Sequence, residues 1–342
     1  MCEHKQRQLF VFWQFDGNNQ SYCNQICPYC YGGIKKNVHY WNGDVAKWEK
    51  AFERLDRDIY FVMSYGESMG MKGFYECVAM IGRHPTWTLC IVTNLSFSPK
   101  ALIASRLGQE KRVMLHPCWH PFGVTDRVKG WETFKKHLLM LKEAGIPIHV
   151  LYLWWKPQID LFPEYFEWLD AQDIRVNVRR YIGNIGGITL PFTHRKLGGK
   201  NYPKDYTDAE RRYIYANTCP KVTKYGLDLV KPTDRDCSAG KDMILVKYNG
   251  EVAYCADLEG SNIGNIFSSD FKLSKENCKC TSHLCGGDYG MLHLIDNAFP
   301  PNPKWLPNEP FLSIAEELKD DHPIPYPNRE EMLKCLQKIE KK

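Results

Sequence analysis

Leu9-Phe10-Val11-Phe12-Trp13-Gln14-Phe15, followed eight residues later by Cys23-Asn24-Gln25-Ile26-Cys27-Pro28-Tyr29-Cys30, is the stretch that decides the fold. The first half is short, aromatic and β-rich, and reads as a strand. The second half places three thiols in the loop behind it, with the spacing C-x3-C-x2-C. Three thiolates this close can converge on one soft metal centre. A tetrahedral structural zinc wants a fourth ligand, and the next histidine, His39, lies nine residues beyond Cys30. A four-iron cluster held by three protein ligands keeps one iron open, which is a catalytic arrangement.

Downstream, strand-like and helix-like segments alternate. Asp44–Leu55 carries Val45, Trp48, Ala51, Phe52 and Leu55 on one helical stripe. The pattern continues as strand Asp58–Tyr65, helix Met69–Arg83 and strand Trp87–Thr93. A short helix opened by Ser98 as N-cap and Pro99 as first residue runs to Leu107. Strand Lys111–His116 and helix Arg127–Ala144 follow, the helix stopping at Gly145. Strand Ile146–Trp154, helix Pro163–Ala171 and strand Ile174–Tyr181 complete six β units. Such alternation implies a parallel sheet, because parallel neighbours need crossover connections. A doubly wound sheet and a partial barrel both fit this periodicity, and in either the working face lies at the C-terminal strand ends.

The chain has 342 residues, 14 of them cysteine. It is long enough to bury a core without covalent staples. The N-terminus is polar, and the apolar run Leu9–Trp13 is too short for a signal peptide. No segment approaches the ~20 apolar residues of a membrane helix. The expected location is the reducing cytoplasm, where thiols stay free for metals. The net charge of +5 is too mild to argue for nucleic acid as a partner. Within it, Arg175–Lys224 sets 11 Lys and Arg against 3 acidic residues.

A second group, Cys237, Cys255, Cys278, Cys280 and Cys285, opens with C-x12-G-x4-C. Tyr248-Asn249-Gly250-Glu251-Val252 reads as a β-hairpin with an Asn-Gly turn. Such a hairpin is expected to present Cys237 and Cys255 from its flanking strands toward one point. A structural zinc site of the same shape is the alternative. The expected organisation is a barrel over 1–185, then a basic linker with a polar helix over 186–235. A cysteine-rich domain over 236–299 and a Pro-rich tail with a last helix over 300–342 follow.

The first cysteine motif resembles the signature of the radical S-adenosylmethionine (SAM) superfamily, with Tyr29 as its aromatic. Tyr65-Gly66-Glu67, after the second strand, looks like the family's Gly-Gly-Glu motif, with Tyr in the first place. The second group resembles the SPASM/twitch extension. The resemblance implies a partial (β/α)6 TIM-like barrel with a small C-terminal β-hairpin plus helix extension. It implies a SAM-binding [4Fe–4S] cluster on Cys23, Cys27 and Cys30. It also implies one auxiliary [4Fe–4S] cluster on Cys237 and Cys255 with two of Cys278, Cys280 and Cys285. Glu67 would hold the SAM amino group and Tyr29 would lie near the adenine. Thr93 and Asn94 are similar to a strand-3 polar pair near SAM, and His116 would bond the ribose. On the last strand Asn177 and Arg179 should point into the barrel, with Arg179 suited to the SAM carboxylate or to the substrate.

The activity so implied is reductive cleavage of SAM to a 5′-deoxyadenosyl radical, with an electron from a carrier such as flavodoxin or ferredoxin. The radical then abstracts a hydrogen atom from a substrate. The net result is dehydrogenation, or epimerisation with Cys118 returning a hydrogen atom. The expected substrate is a small, polar, anionic molecule, because the barrel starts within about ten residues of the N-terminus and no peptide-binding domain precedes it. A peptide or protein maturase is the second reading, and a zinc-binding nucleic-acid module is the non-enzymatic one.

Overall fold

Strand β1 (Leu9–Trp13) lies in the middle of a seven-stranded sheet. On one side β2 (Ile59–Met63), β3 (Thr88–Thr93) and β4 (Val113–Pro117) follow in order, all parallel. The computed structural model describes residues 8–15, 22–25, 27, 43–148, 150–154, 161–174, 176–180, 183–185, 188–190, 236–255 and 261–281. Bridges from Leu115 to Ile148 and from Cys118 to Leu151 carry the sheet on to β5 (Val150–Trp154). That strand pairs in parallel with β6 (Val176–Arg180). The six strands form a partial TIM-like barrel that does not close.

The crossovers are α1 (Val45–Glu53), α2 (Phe74–Arg83), α3 (Lys100–Ala104), α4 (Arg106–Gln109), α5 (Arg127–Glu143) and α6 (Phe162–Ala171). Local chemistry starts the two best of them. Asp44 accepts from Lys47 N at 2.9 Å and Asp126 from Lys129 N at 3.0 Å, each satisfying a first-turn donor. Two expected helices are broken. Met69–Arg83 is not continuous: a 3₁₀ turn at Ser68–Gly70 precedes α2, because Glu67 caps Met69 N and the chain must re-aim before Phe74. The helix expected to end at Leu107 splits at Ser105, whose hydroxyl accepts from Gly108 N and starts α4. Pro99, not Ser98, occupies the cap of α3 and makes no side-chain bond there.

Alternation along the strands separates two cores. Leu9, Val11 and Trp13 on β1 pack outward with Ile59, Phe61 and Met63 on β2 against the helices. Trp13 is ringed by Trp48, Phe52 and Phe61, with centroids 5.1, 5.0 and 5.6 Å away. Phe12, Tyr60, Val62 and Cys90 face the other way, into a second buried cluster.

The cysteine-rich segment is not set apart from the barrel. Its strand β10 (Met243–Val246) pairs in parallel with the free edge of β1, matching Val11 to Ile244. The expected hairpin is present: β11 (Glu251–Ala253) returns antiparallel to β10 after Gly250 at φ +84°. Strand β12 (Asn262–Asn265) completes the sheet. Cys237, however, is not on that hairpin. It sits on β9 (Asp236–Cys237), which pairs antiparallel with β13 (Cys278–Lys279) and places Cys237 opposite Cys278. A buried ion pair, Arg57 Nη2 to Asp242 Oδ1 at 3.1 Å, ties the start of β10 to the barrel. Arg54 adds a bond to the carbonyl of Ser268 at 3.1 Å.

Across the expected boundary between barrel and linker, β7 (Gly183–Ile185) and β8 (Ile188–Leu190) form a small antiparallel hairpin. The polar helix expected from Thr207, the Pro-rich tail and the last helix lie outside the described residues. Among the described residues no helix is long and apolar enough to cross a membrane.

Trp48 links both parts of the sheet, since its ring lies 4.5 Å from Phe267 and 5.1 Å from Trp13. Trp48→Ala should cost about 3–5 kcal/mol by leaving a cavity at this junction. Chemical denaturation measures it, and Phe267→Ala, at a partly exposed ring, should cost less.

Candidate active site

The loops after β1, β2 and β3 meet at one rim. Gly66 at φ +62° turns the chain so that Glu67 drops beneath this rim, with its side chain fully buried. Glu67 N donates to Tyr22 O at 2.8 Å, which pins the second loop to the first. Its carboxylate accepts from Thr93 Oγ1 at 2.7 Å, from Asn94 N at 2.6 Å and from Met69 N at 3.3 Å. Burial pushes the Glu67 carboxyl up to about 7, against these three donors, which pull it down. Among the described residues no cation pairs with it. A buried carboxylate held only by neutral donors suits a cationic ligand.

The first cysteine loop lies against the same group. Cys23 is buried, and its sulfur accepts from Gln25 N at 3.5 Å and from Asn94 Nδ2 at 3.8 Å. A neutral thiol is a weak acceptor; two N–H groups aimed at one sulfur suit a metal-bound thiolate. Gly123, in the loop after β4, approaches this site closely. A Cβ there would stand 2.5 Å from Cys27 Sγ and 2.8 Å from Gln25 Oε1, so a larger residue would displace one of these side chains.

Sequence reasoning thus brought together Cys23, Cys27, Gly66, Glu67, Thr93 and Asn94. Cys30 and Tyr29 lie outside the described residues. Tyr65 leans on the inner apolar cluster. His116 is buried, with Nε2 at 3.3 Å from Met114 Sδ. Cys118 is buried at the rim and donates its N–H to Thr93 O at 2.8 Å. It also bears on Tyr165, whose phenol burial first and Cys118 second push up. Two residues on, burial holds the imidazole of His120 down to about 4. On β6, Asn177 is in register with Leu151 and Arg179 with Leu153, while Val176 and Val178 match the outward Val150 and Tyr152.

Cys237, Cys255 and Cys280 are buried in the inner cluster, with Cys278 against it. Among the described residues no three cysteine sulfurs lie within 4.8 Å of one another. Burial pushes the Cys278 thiol up, and the sulfur lies 3.4 Å from Ala239 O. Cys285 lies outside the described residues. Three residues that sequence reasoning passed over, Asn24, Ser96 and Gly123, touch the first site. The close N-x-S spacing of Asn94 and Ser96 was the one available signal.

The Glu67 carboxyl sets a pH dependence. Its folded value lies above that of the unfolded chain, so the folded state binds the extra proton between about 4.5 and 7. Stability of the ligand-free protein should therefore fall as the pH rises through that window, by about 3 kcal/mol in all. Thermal melts across it should show this loss in the wild type and not in Glu67→Gln, whatever the variant's absolute stability. Gly123→Ala, read by thiol labelling, should leave Cys23 protected and change the labelling rate of the partly buried Cys27, whose sulfur the new methyl crowds.

No family model matches the chain, and no curated protein does. Solved structures do. One is anSMEcpe with bound AdoMet and Cp18Cys peptide, at 14 % identity and TM-score 0.55, covering 76 % of this chain and 78 % of that one. Another is SuiB of Streptococcus suis bound to precursor peptide SuiA, at 13 % identity and TM-score 0.53. That alignment covers 78 % of this chain and 64 % of the larger protein. With its partial barrel and its cysteine-bearing rim, the chain has the fold of the radical SAM enzymes.

Proposed function

We propose that this chain is a radical SAM enzyme that abstracts a hydrogen atom from its substrate. The observation that carries the reading is Glu67, a buried carboxylate with neutral donors around it and a cysteine of the motif one hydrogen-bonded residue away. The α-ammonium of SAM supplies the missing cation. Cys23, Cys27 and Cys30 would hold the [4Fe–4S] cluster. With SAM bound and one electron delivered, that pair supplies the 5′-deoxyadenosyl radical.

The chain's own residues orient and enclose. Glu67 fixes the ammonium, and Thr93 and the Asn94 N–H fix Glu67. Tyr29, Tyr65, His116, Asn177 and Arg179 would serve the adenine, ribose and carboxylate of SAM or the substrate. The loop around Gly123 lies against the Cys27 sulfur. Cys237 and Cys255, with two of Cys278, Cys280 and Cys285, would close around an auxiliary [4Fe–4S] cluster. The pairing of Cys237 with Cys278 supports Cys278 as one of them. A carrier such as flavodoxin or ferredoxin would deliver the electron.

For the substrate, the basic stretch Arg175–Lys224 supports a small, polar, anionic molecule, dehydrogenated or epimerised. In the second case Cys118 would return the hydrogen atom. A peptide or protein side chain is the second reading, favoured by the two fold neighbours whose structures hold peptides.

Anaerobic preparation should give a brown protein with iron and sulfide, and SAM with dithionite should yield 5′-deoxyadenosine even without substrate. Glu67→Ala should keep the iron and weaken SAM binding by roughly 10–100-fold, the worth of a charge-assisted bond. A colourless zinc protein would sink the reading.

A further inference from the structure

Asn94 is held by a closed ring of hydrogen bonds that determines which way its amide faces. Its Oδ1 accepts from Ser96 N at 3.0 Å and from Ser96 Oγ at 2.5 Å. Its Nδ2 donates to Asn24 Oδ1 at 3.0 Å, and Asn24 Nδ2 donates to Ser96 Oγ at 2.8 Å. The backbone N–H of Ser96 can only donate, so the atom of Asn94 that meets it must be the carbonyl oxygen. The other end is then the NH2, and that end lies 3.8 Å from Cys23 Sγ. The contact is therefore N–H···S, whichever way an amide would otherwise be assigned.

We infer that Asn94 is a positioning residue that tunes the first cluster, donating a fixed N–H to the Cys23 thiolate while its backbone N–H holds Glu67. The inference rests on the reading of Cys23 as a cluster ligand. It differs from the expectation that Asn94 contacts SAM, because its three N–H donors are already committed, to the Cys23 sulfur, the Asn24 amide oxygen and the Glu67 carboxylate. A reduced cluster carries one more negative charge than an oxidised one, so an N–H dipole aimed at a ligand sulfur favours reduction and raises the potential. The same residue thus sets how readily the cluster accepts its electron and where the SAM ammonium sits.

The test uses the full chain, reconstituted anaerobically, and follows by electron paramagnetic resonance the reduced-cluster signal that changes when SAM is added. In Asn94→Ala the midpoint potential of that signal should move to more negative values. SAM affinity should stay within about threefold, because residue 94 keeps its backbone N–H. Ser96→Ala leaves Asn94 and Cys23 in place but loosens the ring, and should shift the midpoint the same way by less. If Asn94→Ala takes up no iron, the Ser96→Ala midpoint decides. Wild-type midpoints with full clusters overturn the inference alone. A wild-type protein without iron overturns the proposed function and this inference with it.

Discussion

A carboxylate buried without a cation is costly, and the rim of this barrel is organised around one. Glu67 is reached by donors from its own loop, from the end of β3 and from the turn beyond it, and its backbone reaches back to Tyr22. Three loops that share no sequence neighbourhood therefore share one partner. The three donors reduce the desolvation cost without cancelling it, which is why burial still outweighs them and lifts the carboxyl to about 7. The rim thus carries a buried carboxyl with neutral donors around it, and a cationic ligand would relieve a penalty that the fold already carries.

The second constraint is the parallel pairing of β10 with β1. A partial barrel leaves the edge of its first strand unpaired, and an exposed edge invites aggregation. Here the C-terminal segment supplies the missing neighbour and seats Met243 and Leu245 in the inner cluster beside Phe12, Tyr60 and Val62. The same cluster takes in Cys237, Cys255 and Cys280. The cysteine-rich segment is consequently a wall of the barrel interior. Its placement depends on apolar packing, a buried ion pair at Arg57 and Asp242, and backbone pairing, none of which requires a metal.

Much of this was legible in the chain itself. The aromatic, β-rich strands, the helical stripe from Val45 to Leu55 and the Gly250 turn are local signals, and each element they announce is present. What could not be read depended on distant partners. Met69–Arg83 has helical spacing throughout, yet its first turn is tightened because Glu67 caps it from inside the site. Spacing alone assigns Cys237 to the Gly250 hairpin, because sequence distance is all that spacing reports; its neighbour, Cys278, is set by pairing of two-residue strands. The ring of Asn24, Asn94 and Ser96 spans some 70 positions and leaves no periodic trace.

Under the proposed function these two constraints act on the same problem. Chemistry that passes through a carbon radical needs a dry, rigid enclosure, because water and mobile side chains offer competing hydrogen atoms. The floor made by Phe12, Val62 and Leu245 is apolar and buried. Two of the oxidisable groups in this cluster, Tyr60 and Cys90, are hydrogen-bonded to each other. Above this floor the polar atoms are locked as well, since Glu67, Thr93, Asn94 and Ser96 each have defined partners. The rim thereby orders its charge and its donors before any ligand arrives, which is the preorganisation that electrostatic positioning of a reactive centre requires.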